Sequence, residues 1–264
     1  MTVKSDKVSP KSLPIAGPSS KNTGDHARGS RLAEEFQRVD KVLHDRNIMS
    51  TVVVFGSSRV HPFSPEKGSQ CLDPAHQSQA ELWYEMARHF AKIVSQRGGA
   101  IGPPGSELHN VIATGGGPGL MEAANRGAAE AGAPSIGFNI VLPVEQPSNP
   151  FTSPELTFHF HYFAMRKMHL AMRANALAVF PGGFGTLDEL FELLTLKQTG
   201  KGKEIPILLF GRSYWQSVIN FDALVALGMI PEKDLKLFDF VDSAEQAWDT
   251  LLKRGLLSGY MLHR

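Results

Sequence analysis

ALAVFPGGFGTLDELFE, residues 176–192, runs without a break from an apolar strand pattern, through a proline and three glycines, into an apolar, acidic helix pattern. A short apolar run bounded by Pro and Gly reads as a buried strand, while Leu187, Leu190, Phe191 and Leu194 recur at the spacing of one helix face. The junction is therefore a strand-to-helix turn with little side-chain cover. Such a turn presents the unpaired N–H groups of a helix start, and the positive end of its dipole, to whatever lies beyond the strand. It suits an anion.

The same grammar repeats outward from this point. TVVVF (51–55), NVIAT (110–114), SIGFNIVL (135–142) and IPILLF (205–210) are further apolar runs ending at Gly or Pro or just before one. Helical patterns lie between them, over 78–97, 118–131, 162–174, 187–198 and 213–227, with a last one over 243–254 and an earlier one from Arg31 carrying Leu32, Phe36, Val39 and Leu43 on one face. Continuous apolar strands alternating with helices predict a doubly wound, mostly parallel, Rossmann-like α/β sheet, because each strand must be buried on both faces. Ligands of such sheets sit beyond the carboxyl ends of the strands, where Gly56, Gly115, Gly116, Gly117 and Gly182 to Gly185 fall. A single domain over 31–264 is expected, preceded by a tail, 1–30, too poor in large apolar side chains to offset the entropy of ordering. Residues 61–77 and 99–109 read as loops.

Composition narrows the partners. The 264 residues are 42% hydrophobic, and 27 basic residues stand against 26 acidic ones, so overall charge gives no ground for a nucleic acid or an anionic membrane as partner. No run is long enough to cross a bilayer and no secretory leader is visible, so a cytoplasmic protein is expected. The single cysteine, Cys71, rules out an intramolecular disulfide and reads as a loop thiol. His159 and His161 in HFH lack a spaced third ligand, so no metal is expected.

In TGGGPGLMEAANRGAAEAG, Pro118 is expected at the first helical position and Gly132 at the helix stop. The dinucleotide fingerprint would need glycine where Leu120 stands, and a Gly-Lys-Ser/Thr phosphate loop is absent. Thr186 and Glu189 have the spacing of a capping box, so Glu189 reads either as a cap or as an accessible carboxylate beside an anion site. Arg166, fifteen residues before Pro181, opens a helix at the ligand edge and, with Lys167, reads either as a solvated helix face or as part of a site; Met165, Met168 and Met172 are expected to form that helix's buried stripe.

GGGPGLMEAANRGA, MRK and PGGFGTLDE together resemble the LOG family, cytokinin riboside 5'-monophosphate phosphoribohydrolases often mislabelled as lysine decarboxylases. The resemblance spans residues 50–254. It implies hydrolysis of the N-glycosidic bond of a nucleoside 5'-monophosphate, with Arg166 and Glu189 as the catalytic pair. It also implies that Gly182, Gly183, Phe184, Gly185, Thr186, Leu187 and Asp188 contact the nucleotide. Lys167 would assist, Thr195 would lie near, and Glu145 in the LPVEQPSNP loop would bind substrate. No cofactor is expected: a pyridoxal phosphate on Lys167 is the discarded reading. A homodimer or larger homo-oligomer, joined through Leu193 and Leu196, is the expected assembly. A nucleotide-binding carrier without turnover is the alternative function.

Overall fold

The computed structural model describes residues 25–61, 74–142 and 148–257. Seven parallel strands form one sheet: β1 (Thr51–Phe55), β2 (Val111–Thr114), β3 (Ser135–Ile140), β4 (Thr157–Phe160), β5 (Ala174–Val179), β6 (Ile207–Phe210) and β7 (Asp239–Val241), in the order β4-β3-β2-β1-β5-β6-β7. The chain builds outward from β1 to β4, then returns across the sheet to lay β5 on the other side of β1. Val53 pairs with Ala113 on one side and Leu177 on the other. That reversal between β1 and β5 is the switch point at which doubly wound sheets bind ligands.

Successive side chains of a strand point to opposite faces, and the core divides accordingly. Val52, Val54, Ala176, Ala178 and Phe210 pack with α2 (Pro74–Arg97), α3 (Leu120–Glu130) and α8 (Ala244–Lys253), whereas Val53, Phe55, Leu177 and Val179 pack with α1 (Arg28–Asp45), α4 (Phe163–Met172) and α5 (Phe184–Gln198). Phe180 and Phe210 stack with centroids 4.0 Å apart. The remaining helices, α6 (Arg212–Val218) and α7 (Phe221–Ala226), lead into β7. No helix among the described residues is long and apolar enough to cross a membrane.

The amino ends of the strands are knotted by Asn110, which is fully buried at φ 53. Its amide donates to the carbonyls of Gly98 and Leu257 at 2.8 and 3.0 Å, and its Oδ1 accepts from Asn175 at 3.1 Å.

Several expectations need correction. The helix expected from Arg31 starts at Arg28, and the pattern over 213–227 is two helices, because Asn220 caps a second one by accepting from the Ala223 N–H. The edge strands β4 and β7 were not read as strands; they are short, and both contain polar residues. Pro118 does not begin α3: Gly119, at φ 72, is its N-cap. The methionine stripe is also overturned, since Met168 and Met172 are exposed and Arg166, His169 and Leu170 are the buried face of α4. Residues 1–24 and 62–73, including Cys71, lie outside the described residues.

Two glycines separate strain from crowding. At Gly132 (φ 77) a Cβ meets nothing within 4 Å, whereas at Gly119 it would lie 2.4 Å from the Ser57 carbonyl oxygen. Gly132→Ala should cost about 1 kcal/mol, and Gly119→Ala clearly more, at least about 2 kcal/mol, in urea unfolding.

Candidate active site

At the switch point one residue ties two turns together. Ser57, just beyond β1, donates its N–H to the Pro181 carbonyl at 2.9 Å and accepts from the Leu120 N–H at 3.0 Å. The turn before α5 and the turn before α3 are thereby held side by side.

Into this junction α4 delivers Arg166. The first turn of α4 has no side-chain cap of its own, but Glu35 of α1 accepts from the His161 N–H and Arg31 donates to the Tyr162 hydroxyl at 2.9 Å. Further along, the Phe36 carbonyl accepts from His169 Nε2 at 3.1 Å and Asp40 pairs with Arg173 at 2.7 Å. Burial, aided by Arg173, pushes the His169 pKa down to about 4, so the ring is neutral with its proton on Nε2. Helix α1 thus braces the helix that carries the arginine.

Arg166 is only 9% exposed. Its Nε donates to the Phe138 carbonyl at 2.9 Å, its Nη1 donates to Glu189 Oε1 at 3.0 Å, and the guanidinium lies 5.8 Å from the Phe55 ring centroid. Gly115 passes so close that a Cβ there would sit 2.9 Å from Nη2. Arg166 Nη2 and Glu189 Oε2 make no hydrogen bond to the described residues and remain for a ligand. Burial raises the Glu189 pKa above its ordinary 4.5 against the pull of Arg166 and Lys167. Burial likewise lowers that of Arg166, from a value so high that the guanidinium stays charged.

The capping-box reading of Glu189 fails. Gly183 is the N-cap of α5, no side chain caps it, and Thr186 already lies inside the helix. Glu189 is 5% exposed rather than accessible, and its hydrogen bond goes to Arg166 instead of the helix start.

The start of α5 is bare. The N–H groups of Gly183, Phe184 and Gly185 have no partner among the described residues, and Phe184 is 91% exposed. A Cβ on Gly182 would lie 2.2 Å from Thr186 Oγ1, but on Gly183 or Gly185 it would meet nothing within 4 Å. The protein itself does not demand glycine at 183 and 185. What those two residues provide is backbone that a ligand can approach.

The other expected residues are distributed unevenly. Gly116 and Gly117 are buried beneath Asn149, whose N–H donates to the Gly116 carbonyl and whose amide donates to that of Gly117; only Gly115 keeps partial exposure. Lys167 is held by Asp188 at 2.8 Å and Glu192 at 2.7 Å. Burial alone would lower its pKa, but these two carboxylates raise it. Leu187 is half-buried. Thr195 is exposed on α5 and donates to the Phe191 carbonyl, about 9 Å along the helix axis from Glu189, and it lines a surface cavity together with Lys167, Phe184, Leu187 and Asp188. Glu145 lies outside the described residues. Asn149, Ser57 and Glu35 were missed because their roles are contacts between distant segments, without a local signature. Among the described residues no three His, Cys, Asp or Glu side chains gather to hold a metal: His159 meets Ser148, and His161 faces Glu35.

Residues 121–251 match a family model described as "Possible lysine decarboxylase". Over 147 residues the chain is 29% identical to a cytokinin riboside 5'-monophosphate phosphoribohydrolase of Oryza sativa subsp. japonica, covering 54% of this chain and 58% of that one. Over these residues the chain is similar to the LOG family. A probable enzyme of the same name from rice is 32% identical over 87 residues, 33% of this chain and 41% of that relative. One from Arabidopsis thaliana is 39% identical over 66 residues, 25% of this chain and 30% of it. The LOG match therefore spans less than two thirds of each of these relatives. A solved molybdenum cofactor binding protein from Rippkaea orientalis is 15% identical, with TM-score 0.48 over 78% of this chain and 96% of that one. Decarboxylation through pyridoxal phosphate would need a lysine that gives up its proton to form a Schiff base, and Lys167, clamped between two carboxylates, does not fit that role.

Gly185 allows a direct test of why α5 starts bare. Gly185→Ala should raise stability in urea by about 0.5 kcal/mol, through helix propensity and a less flexible unfolded chain. It should weaken nucleotide binding measured by calorimetry.

Proposed function

We propose that this chain, like the LOG proteins it resembles, hydrolyses the N-glycosidic bond of nucleoside 5'-monophosphates, cytokinin riboside monophosphates or AMP, to free base and ribose 5-phosphate. The observation that carries the reading is a buried carboxylate, fixed by a buried arginine, next to an uncapped helix start at the sheet's switch point. Glu189 lies about 6 Å along α5 from Gly185, and helix side chains lean toward the N-terminus, so its carboxylate reaches back toward the phosphate end. The names of the rice and Arabidopsis relatives agree with this substrate class.

Cleaving a ribosyl C–N bond builds positive charge at the anomeric carbon, as glycoside cleavage does. In the proposed reaction the 5'-phosphate settles on the N–H groups of Gly183, Phe184 and Gly185. Glu189 stabilises the cationic sugar and orients or deprotonates the attacking water. Arg166 keeps its proton, so it acts as a clamp on Glu189 and on the substrate, not as an acid. The phosphate supplies binding energy remote from the breaking bond, which positions the sugar. Phe184 and Phe191, exposed beside the site, suit contact with a second copy of the chain, and the assembly is proposed as a homodimer.

Incubation with AMP and with isopentenyladenosine monophosphate should release free base, read by chromatography. Folded protein that binds either nucleotide without release would make the chain a carrier. Glu189→Gln should lower kcat by about 100-fold or more while retaining AMP binding. The catalytic form of Glu189 is the carboxylate, and its pKa is raised, so kcat/KM should fall on acidification through a pKa above 4.5. An acid limb at or below 4.5 would remove Glu189 from that role.

A further inference from the structure

We infer that Tyr214 is a positioning residue for the phosphate end of the site, fixing the direction of the Gly183 N–H; this rests on the nucleotide reading above. The Tyr214 hydroxyl, on α6, donates to the Gly182 carbonyl at 2.7 Å. Its ring is half-buried and held edge-on by Trp83 (5.8 Å, 74°) and Trp215 (5.2 Å, 84°), so the donor cannot wander. Burial pushes the phenol pKa up, against the pull of the Gly182 bond, which keeps the group protonated at neutral pH.

The consequence follows from peptide geometry. No described peptide bond is cis, so the carbonyl of Gly182 and the N–H of Gly183 point in opposite directions across one rigid plane. Holding the carbonyl toward α6 turns the Gly183 N–H away from α6, and that N–H has no partner among the described residues. The plane is flanked by glycine on both sides. Gly183 sits at φ −88 in open space, so rotation of this peptide meets little steric resistance there. On the other side Gly182 is packed against Thr186, and the Tyr214 hydrogen bond is the polar contact that opposes the rotation. A reversed peptide would present a carbonyl oxygen to the anion in place of a donor.

The test compares wild type with Tyr214→Phe, using inorganic phosphate, AMP and adenosine as probes in calorimetry. The variant should bind phosphate and AMP about three- to tenfold more weakly, the range expected for one lost hydrogen bond. Adenosine binding should stay within about twofold, and KM for AMP should rise more than kcat falls. Unchanged AMP binding, or equal weakening of AMP and adenosine, would overturn the inference. In 15N-labelled wild type the Gly183 amide resonance should shift on titration with inorganic phosphate. An unmoved resonance sinks the proposal even where the variant fails to fold. AMP binding without base release ends the hydrolase reading and leaves this one to the binding data.

Discussion

Placing Arg166 and Glu189 together at 3.0 Å inside the protein removes two charges from water, which costs several kcal/mol per ion unless the surroundings repay it. Much of the ligand edge is arranged around that repayment. The Phe138 carbonyl satisfies one guanidinium nitrogen, the Phe55 ring covers its face, and Gly115 has no side chain to displace it. Helix α4 cannot drift, because α1 grips its entry through Glu35 and Arg31 and its far end through Asp40. Removing either partner would leave the other charge buried and uncompensated. The pair is therefore structural, and in the proposed reaction its two unspent polar atoms, Arg166 Nη2 and Glu189 Oε2, are the ones offered to the substrate.

The glycines at the ligand edge have different causes. Gly115, Gly116 and Gly182 are glycine because Arg166, Asn139 and Thr186 occupy the space a Cβ would need. Gly183 and Gly185 face open space and adopt no backbone conformation that a larger residue would refuse. The turn before α5, with crowded Gly182 followed by open Gly183 and Gly185, combines close packing of strand on helix with exposed backbone N–H groups.

The fold was legible because its signal is local and repeated. Runs such as TVVVF and ALAVF have one physical reading, a strand covered on both faces, and the glycines after them mark the edge that binds. Helix α4 was misread because its amphipathic period admits two faces, and apolar Met168 and Met172 look more buriable than Arg166 and His169. The burial of a charge depends on a partner twenty-three residues away, which no local pattern encodes. Glu189 fitted a capping box for the same reason: Thr186 and Glu189 have the right spacing, but the helix starts at Phe184. Short β4 and β7 carry polar residues because an edge strand has only one neighbour. The Arg166–Glu189 pairing itself came through the family resemblance, and the packing of Asn149, Ser57 and Tyr214 onto the turns was invisible until the chain was folded.

The opposite end of the sheet follows other rules. There Asn110 spends its side-chain amide and carbonyl on three separate segments, whereas the α5 start leaves its donors unspent. One end is a sealed floor and the other an unfinished rim. Sequence drift at the floor is paid in folding stability, while drift at the rim can retune what is held without disturbing the scaffold. A chain built this way can diversify its ligand without re-inventing its architecture.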